Sequence, residues 1–218
     1  MEDSIENIDA REYELRFTLT NSSIAMANAL RRIMISEIPT LAIDKIIVEK
    51  NDSNIPEEII AHRLGLIPIY GDLNHLEFSD NCPCESECPR CTIRFTCDLT
   101  ADMDRFAITS DHLLPEEPWN RSSFSPVRFQ IGGKFYPIVL FRLDRGERIK
   151  IEAHAKMGIG KNHAKFSPIA IATYDYSDNE DTFFFQVESN GSYDPLEILK
   201  KSLSILEEKM NKLNHISI

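Results

Sequence analysis

Between residues 13 and 19 apolar and polar side chains alternate (Tyr-Glu-Leu-Arg-Phe-Thr-Leu), the period of a half-buried strand. Asn21, Ser22 and Ser23 then offer capping side chains. From 24 to 38 the period turns helical, with Ala27, Leu30, Met34 and Ile38 on one face and Pro39 as the stop. Residues 41–48 read as a strand, and 57–64 as a short helix ended by Gly65, with Pro68 beyond. Residues 92–99, 138–143, 148–155, 169–176 and 182–189 read as further strands. The stretch 102–136 is weakly patterned and rich in Pro, Ser and Gly, which predicts short strands and loops. Phe183, Phe184 and Phe185 in succession point to both faces of their strand, so both faces are expected to be covered.

The end of the chain carries the clearest pattern. Asp194 is placed as a helix N-cap, Pro195 at the first helical position, and Glu197 completes a capping box. Leu196, Leu199, Leu203, Leu206, Met210 and Leu213 then follow at gaps of three and four, the seam of a helix that packs lengthwise. Lys200, Lys201, Glu207, Glu208, Lys209 and Lys212 lie largely outside it. Two readings stand for the seam: the chain's own core, or a helix of a partner.

The chain has 218 residues, 42% of them hydrophobic, enough for a core in one large domain or two small ones. No apolar run reaches the ~20 residues of a membrane helix. The acidic, polar N-terminus is unlike a secretory or transit leader, and the expectation is a soluble intracellular protein. The formal charge of -11 makes broad nucleic-acid binding a poor fit, because phosphate contacts by Lys and Arg dominate that affinity. Basic protein partners suit it better.

Composition alone does not anticipate Cys82, Cys84, Cys88 and Cys91, spaced C-x-C-x3-C-x2-C. Prolines in Cys82-Pro-Cys84 and Cys88-Pro-Arg-Cys91 favour tight turns that aim sulfurs at a common point. Four thiolates so close predict one structural Zn2+, tetrahedral and closed, a centre that supports folding and catalyses nothing. The alternative is a set of free thiols in a flexible loop. Cys97, inside a strand pattern, reads as a small buried hydrophobe.

Several segments resemble the α-like subunits of cellular RNA polymerases. They are Arg31-Arg-Ile-Met-Ile-Ser-Glu-Ile-Pro-Thr-Leu-Ala-Ile-Asp44, Glu58-Ile-Ile-Ala-His-Arg-Leu-Gly-Leu-Ile-Pro68, the cysteine cluster, Lys156-Met-Gly-Ile-Gly-Lys-Asn-His-Ala-Lys-Phe-Ser-Pro168 and Phe184-Gln-Val-Glu-Ser-Asn-Gly191. They occur in the family's order and cover most of the chain, 102–136 least. Within the family the cysteine spacing is similar to that of the third-largest subunits of nuclear RNA polymerase II. The corresponding α-like chain of archaeal polymerases is the other relative.

The resemblance implies an α+β fold. A discontinuous dimerisation domain (1–40 with 169–218), a sheet with two helices, would carry an inserted mainly-β domain (41–168) with the zinc loop at 82–91. It implies no catalytic residue, a nuclear location, and a role as assembly platform in mRNA transcription. It implies a smaller α-like subunit as dimer partner. The second-largest subunit and small zinc-binding polymerase subunits would be neighbours, with DNA reached only through the complex. The implied contact residues are Ala27, Leu30, Arg31 and Met34, His62 and Arg63, Phe184, and the seam Leu196, Leu199, Leu203, Leu206, Met210 and Leu213.

Competing readings are weaker. Glu57, Glu58 and His62 lack the second histidine of a metalloprotease helix. Met157-Gly-Ile-Gly-Lys161 is superficially like a phosphate loop, but Ala155 and Asn162 stand where Gly and Ser or Thr are needed. Lys156, Lys161, His163 and Lys165 form either a solvated loop or a basic patch for an acidic neighbour. Arg31 and Arg32 are a surface pair or forks for a partner's carboxylates. The alternative functions are an archaeal homologue of the same subunit and an independent zinc-binding regulatory module.

Overall fold

The computed structural model describes residues 3–84 and 87–214; Glu85 and Ser86 of the cysteine loop, the first two residues and 215–218 lie outside the described residues. The chain forms two compact units, Met1–Pro39 with Ile159–Ile218, and Thr40–Gly158. In order the elements are β1 (Ser4–Ala10), β2 (Glu14–Thr20), α1 (Ile24–Ser36), β3 (Pro39–Asn51), α2 (Glu57–Gly65), β4 (Ile69–Gly71), β5 (Thr92–Thr100), β6 (Phe106–Thr109) and β7 (Leu114–Pro115). There follow β8 (Phe124–Pro126), β9 (Phe129–Ile131), β10 (Lys134–Tyr136), β11 (Val139–Leu143), β12 (Arg148–Ile159), β13 (Ile169–Tyr176), β14 (Phe183–Ser189) and α3 (Pro195–Asn214).

The first unit is a four-stranded sheet ordered β1-β2-β14-β13, with α1 packed on α3 and β13, and α3 packed on β14 and β2. Its centre is the antiparallel pairing of β2 with β14, which puts Phe17 opposite Phe185. The two rings stack at 4.6 Å, and Tyr174 packs on both Phe183 and Phe185. Such cross-strand aromatic pairs are the unit of sheet stabilisation.

Helix α1 begins where Ser23 accepts the Met26 N–H at 3.3 Å, and it buries Ala27, Leu30, Ile33 and Met34. It ends at Ser36, two residues short of the predicted end. Ile38 precedes a proline, which disfavours the helical region, so it leaves the helix and is buried in the connection instead. The sequence pattern does not predict strand β1. It is an edge strand with mostly exposed side chains and an irregular register around Asn7, whose φ is +51°, and so it has no alternation to read.

The second unit is built on a six-stranded sheet ordered β7-β5-β12-β3-β4-β8, with α2 and two two-stranded sheets, β10-β9 and β11-β6. Ile93, Phe95 and Cys97 of β5, Ile149, Ile151, Ala153 and Ala155 of β12, and Ile60 and Leu64 of α2 share its core. The even-numbered residues of β5 and β12 face away from that core. There Arg148 pairs with Asp98 through both guanidinium contacts, at 2.8 and 2.9 Å, and Lys150 pairs with Glu49.

The boundary between the units falls after Gly158, not after Pro168. Residues 159–168 belong with the first unit because Lys161 donates its N–H to Ser36 O at 2.8 Å and Gly160 lies against the end of α1. A Cβ on Gly160 would stand 2.3 Å from Ile35 O, so the glycine serves close backbone approach and not a phosphate. Gly160→Ala is therefore expected to destabilise the chain by about 1–3 kcal/mol, read from the urea midpoint. An unchanged midpoint would show that the end of α1 yields without cost.

Candidate functional site

The cysteine loop is built from two tight turns. Cys88-Pro-Arg-Cys91 closes with the N–H groups of Cys91 and Thr92 both donating to Cys88 O, at 3.0 and 2.9 Å. Cys82 is held by its own N–H donating to Phe78 O at 3.1 Å, and the Glu77 N–H ties the incoming segment to Arg90 O at 2.7 Å. Beneath them Leu76 is buried, which seats the loop on the core of the second unit.

These turns bring four sulfurs together, all within 4.8 Å of one another. The separations are 3.6 Å for Cys82–Cys88, 3.7 Å for Cys84–Cys91 and 3.8 Å for Cys88–Cys91. A tetrahedron of thiolates ~2.3 Å from a central ion has edges of about 3.8 Å. The sulfurs are far beyond disulfide distance, and none of the four is in a disulfide. The donor set therefore fits a four-coordinate metal ion.

The electrostatics point the same way. The Arg90 backbone N–H aimed at Cys88 lowers that thiol to about 6, against burial. Cys84, hydrogen-bonded to Cys82 and partly desolvated, is pushed up to about 12. Both displacements come chiefly from hydrogen bonds within the loop, which tie the thiols to one another and to its backbone. Cys97 is buried in the core with its thiol raised to about 11 by desolvation, the small hydrophobe expected of it.

Sequence reasoning missed the group that lies behind this loop. His154 sits on the outward, charged side of β12, opposite Arg94, yet is only 4% exposed. Its Nδ1 contacts the Glu87 carboxylate and its Nε2 lies 2.5 Å from Glu152. Glu87 also pairs with Lys45 at 3.4 Å, and Glu152 approaches Arg94 at 3.9 Å. Burial alone would raise the Glu87 carboxyl; His154 and Lys45 outweigh it and hold it below its ordinary range. The only sequence signal was a histidine at a polar position of a charged strand.

The residues expected to meet a partner divide into two groups. Ala27, Leu30, Met34 and Leu199 are fully buried within the first unit, so they form the chain's own core and not an accessible surface. The seam of α3 is correspondingly rotated and divided. Its first half faces inward through Ile198, Leu199 and Ser202, with Leu196 half-buried. Leu206 is also half-buried, but Leu203, Met210 and Leu213, on the side of the helix turned from the core, stand 37, 47 and 59% exposed. The predicted cap is present, with Asp194 accepting the Leu196 N–H at 2.9 Å, while Glu197 faces Lys201 at 3.4 Å.

Phe184 alone of the phenylalanine run points outward, 51% exposed, among Arg16, Asp175 and Gln186; that face is polar, contrary to the expectation of two apolar faces. His62 and Arg63 are exposed on α2, Arg63 donating to Val139 O at 3.1 Å. Arg31 is half-buried and donates to Asn28 at 3.0 Å, and Arg32 is exposed. The basic residues do not act as one group. Lys156 pairs with Asp44 at 2.7 Å, His163 accepts the Lys165 N–H, and Lys165 lies over the Phe166 ring. Among the described residues no helix is long and apolar enough to cross a membrane.

Comparison with known proteins places this architecture. Residues 16–210 match the family described as RNA polymerase Rpb3/Rpb11 dimerisation domain. A DNA-directed RNA polymerase II subunit rpb3 of Dictyostelium discoideum is 37% identical over 176 residues, 79% of this chain and 57% of the relative. A DNA-directed RNA polymerases II, IV and V subunit 3 of Arabidopsis thaliana is 38% identical over 172 residues, 74% of this chain and 53% of the relative. A DNA-directed RNA polymerase subunit Rpo3 of Methanocaldococcus jannaschii is 36% identical over 196 residues, 90% of this chain and 86% of the relative. The chain thus spans little more than half the length of the two eukaryotic relatives. A two-helix, four-stranded unit interrupted by a cysteine-bearing insert, matched over nearly its whole length, makes this chain a member of the RNA polymerase Rpb3/Rpb11 dimerisation-domain family.

Proposed function

We propose that the chain is a non-catalytic assembly subunit of a nuclear DNA-directed RNA polymerase II, pairing with a smaller α-like chain to form the platform on which the large catalytic subunits gather. The observation that carries this reading is the open half of α3. Leu203, Met210 and Leu213 form an apolar strip beyond the edge of the chain's own core, on a helix whose first half is firmly packed. Exposed apolar strips of this kind mark surfaces that are covered by a partner. The match to a dimerisation-domain family supports an α-like chain as that partner.

Further apolar side chains stand out on the second unit. Ile59 and Leu66 flank exposed His62 on the α2 side, and Ile131, Phe135 and Tyr136 crown the β9–β10 hairpin. They suit a subunit with several neighbours, among them the second-largest subunit and small zinc-binding subunits. DNA would be reached only through the complex. The archaeal relative favours a second reading, an Rpo3-type subunit in an archaeal polymerase; an associated partner set with nuclear-type subunits would decide between the two.

Dimerisation is tested by co-expression with an α-like partner and native mass spectrometry. Leu203→Asp and Met210→Asp are each expected to weaken the heterodimer on the order of tenfold while leaving the helical circular dichroism of the chain intact. A chain that stays monomeric and soluble beside such a partner would end this reading.

The metal we assign is zinc, held by Cys82, Cys84, Cys88 and Cys91, because a closed set of four thiolates suits it and leaves no open position for catalysis. When bound it would neutralise the thiolates and lock the two turns. Cys88→Ser is expected to lower bound zinc well below one per chain and loosen the loop, with a smaller effect on α3. Zinc remaining at one per chain in elemental analysis of that variant would overturn the ligand assignment.

A further inference from the structure

We infer that His154 and Glu87 form a clasp that positions the cysteine loop for its metal, so that a residue far from the cysteines in sequence sets how long the ion is retained. The inference rests on the assignment of a metal to the four cysteines.

The argument begins with the strand period. On β12 the core side is carried by Ile149, Ile151, Ala153 and Ala155, and the opposite side by Lys150, Glu152, His154 and Lys156. His154 should therefore be solvated like Lys150 and Lys156. It is instead buried, and the residue laid against its Nδ1 is Glu87, the neighbour of Cys88. Part of the loop thus folds back over the charged side of the sheet.

The contacts form a continuous chain: Lys45 on β3, Glu87 in the loop, His154 and Glu152 on β12, and Arg94 on β5. Both ring nitrogens of His154 face carboxylate oxygens, Nδ1 that of Glu87 and Nε2 that of Glu152. A charge-assisted hydrogen bond that is shielded from water is worth more than an exposed ion pair. Its loop partner is one peptide bond from a sulfur ligand, so the clasp fixes the backbone that aims Cys88. Groups that orient ligands from outside the coordination sphere typically change metal affinity 10–100-fold.

The test is zinc release from the full chain to a chromophoric chelator in excess. His154→Ala and Glu87→Ala are each expected to speed release on the order of tenfold, and the double variant to be no faster than the singles. A purely structural role for His154 in the sheet would lower the urea midpoint of the metal-stripped protein and leave Glu87→Ala silent. Should His154→Ala fail to fold, Glu87→Ala together with Glu87→Gln decides the matter, the loop side chain being dispensable for the sheet. Release at the wild-type rate from the Glu87 variants, or rates that multiply in the double variant, would overturn the clasp and leave the cysteine site standing. A wild-type chain that takes up no zinc would overturn both.

Discussion

The pairing of β2 with β14 is the constraint on which the rest of the molecule depends. It joins residues 14–19 to residues 183–188 across the whole inserted unit, with Phe17 stacked on Phe185 at its centre. Closing so long a connection costs only slowly growing entropy with length. A folded insert also removes much of the freedom a disordered loop of that size would keep. Once the pair forms, its register dictates which side of β14 is buried. Phe183 and Phe185 go inward against Tyr174, and Phe184 is forced out on the other side. The same register sets the direction in which the chain leaves β14, and thereby lays the first half of α3 beside α1.

The second unit solves a different problem. Its sheet has an ordinary core, but the segment from Leu76 to Cys91 has few apolar side chains to bury and cannot order itself by packing alone. Two turns, four thiols and one histidine take the place of a core there. The four sulfurs, gathered within 4.8 Å of one another, are placed to share one ion. The contact between Glu87 and His154 lies outside the sulfur cluster, so the loop is held to the sheet at a point separate from its four thiols.

How much of this was legible in the sequence varied with the kind of signal. The four cysteines, the start of α3 at Pro195 and the extent of β13 were readable because spacing, capping chemistry and period-2 alternation are local. The face of α3 was not. Its leucines trace one seam by number, yet the buried side of the helix is carried by Ile198, Leu199 and Ser202, a side that the leucine count alone does not single out. Phe184 misled for a related reason: three identical side chains carry no information about which face a partner strand will claim. Strand β1 was invisible because an exposed edge needs no pattern. His154 looked like a solvated strand residue until a loop from elsewhere in the chain was laid over it.

The division of α3 connects fold to function. Helix propagation is favourable once a nucleus is fixed, and the packed turns around Ile198, Leu199 and Ser202 supply that nucleus. The turns beyond it follow at little cost, steadied by Lys209 against Glu37 of the α1 cap, and kept soluble by Lys200, Glu207, Glu208 and Lys212. The chain can thus hold Leu203, Met210 and Leu213 in a helical row with no partner present. A surface ordered in advance spares a partner the entropy of ordering it. A preformed strip carrying its own charges is a better landing site for a partner helix than a segment that folds only on contact.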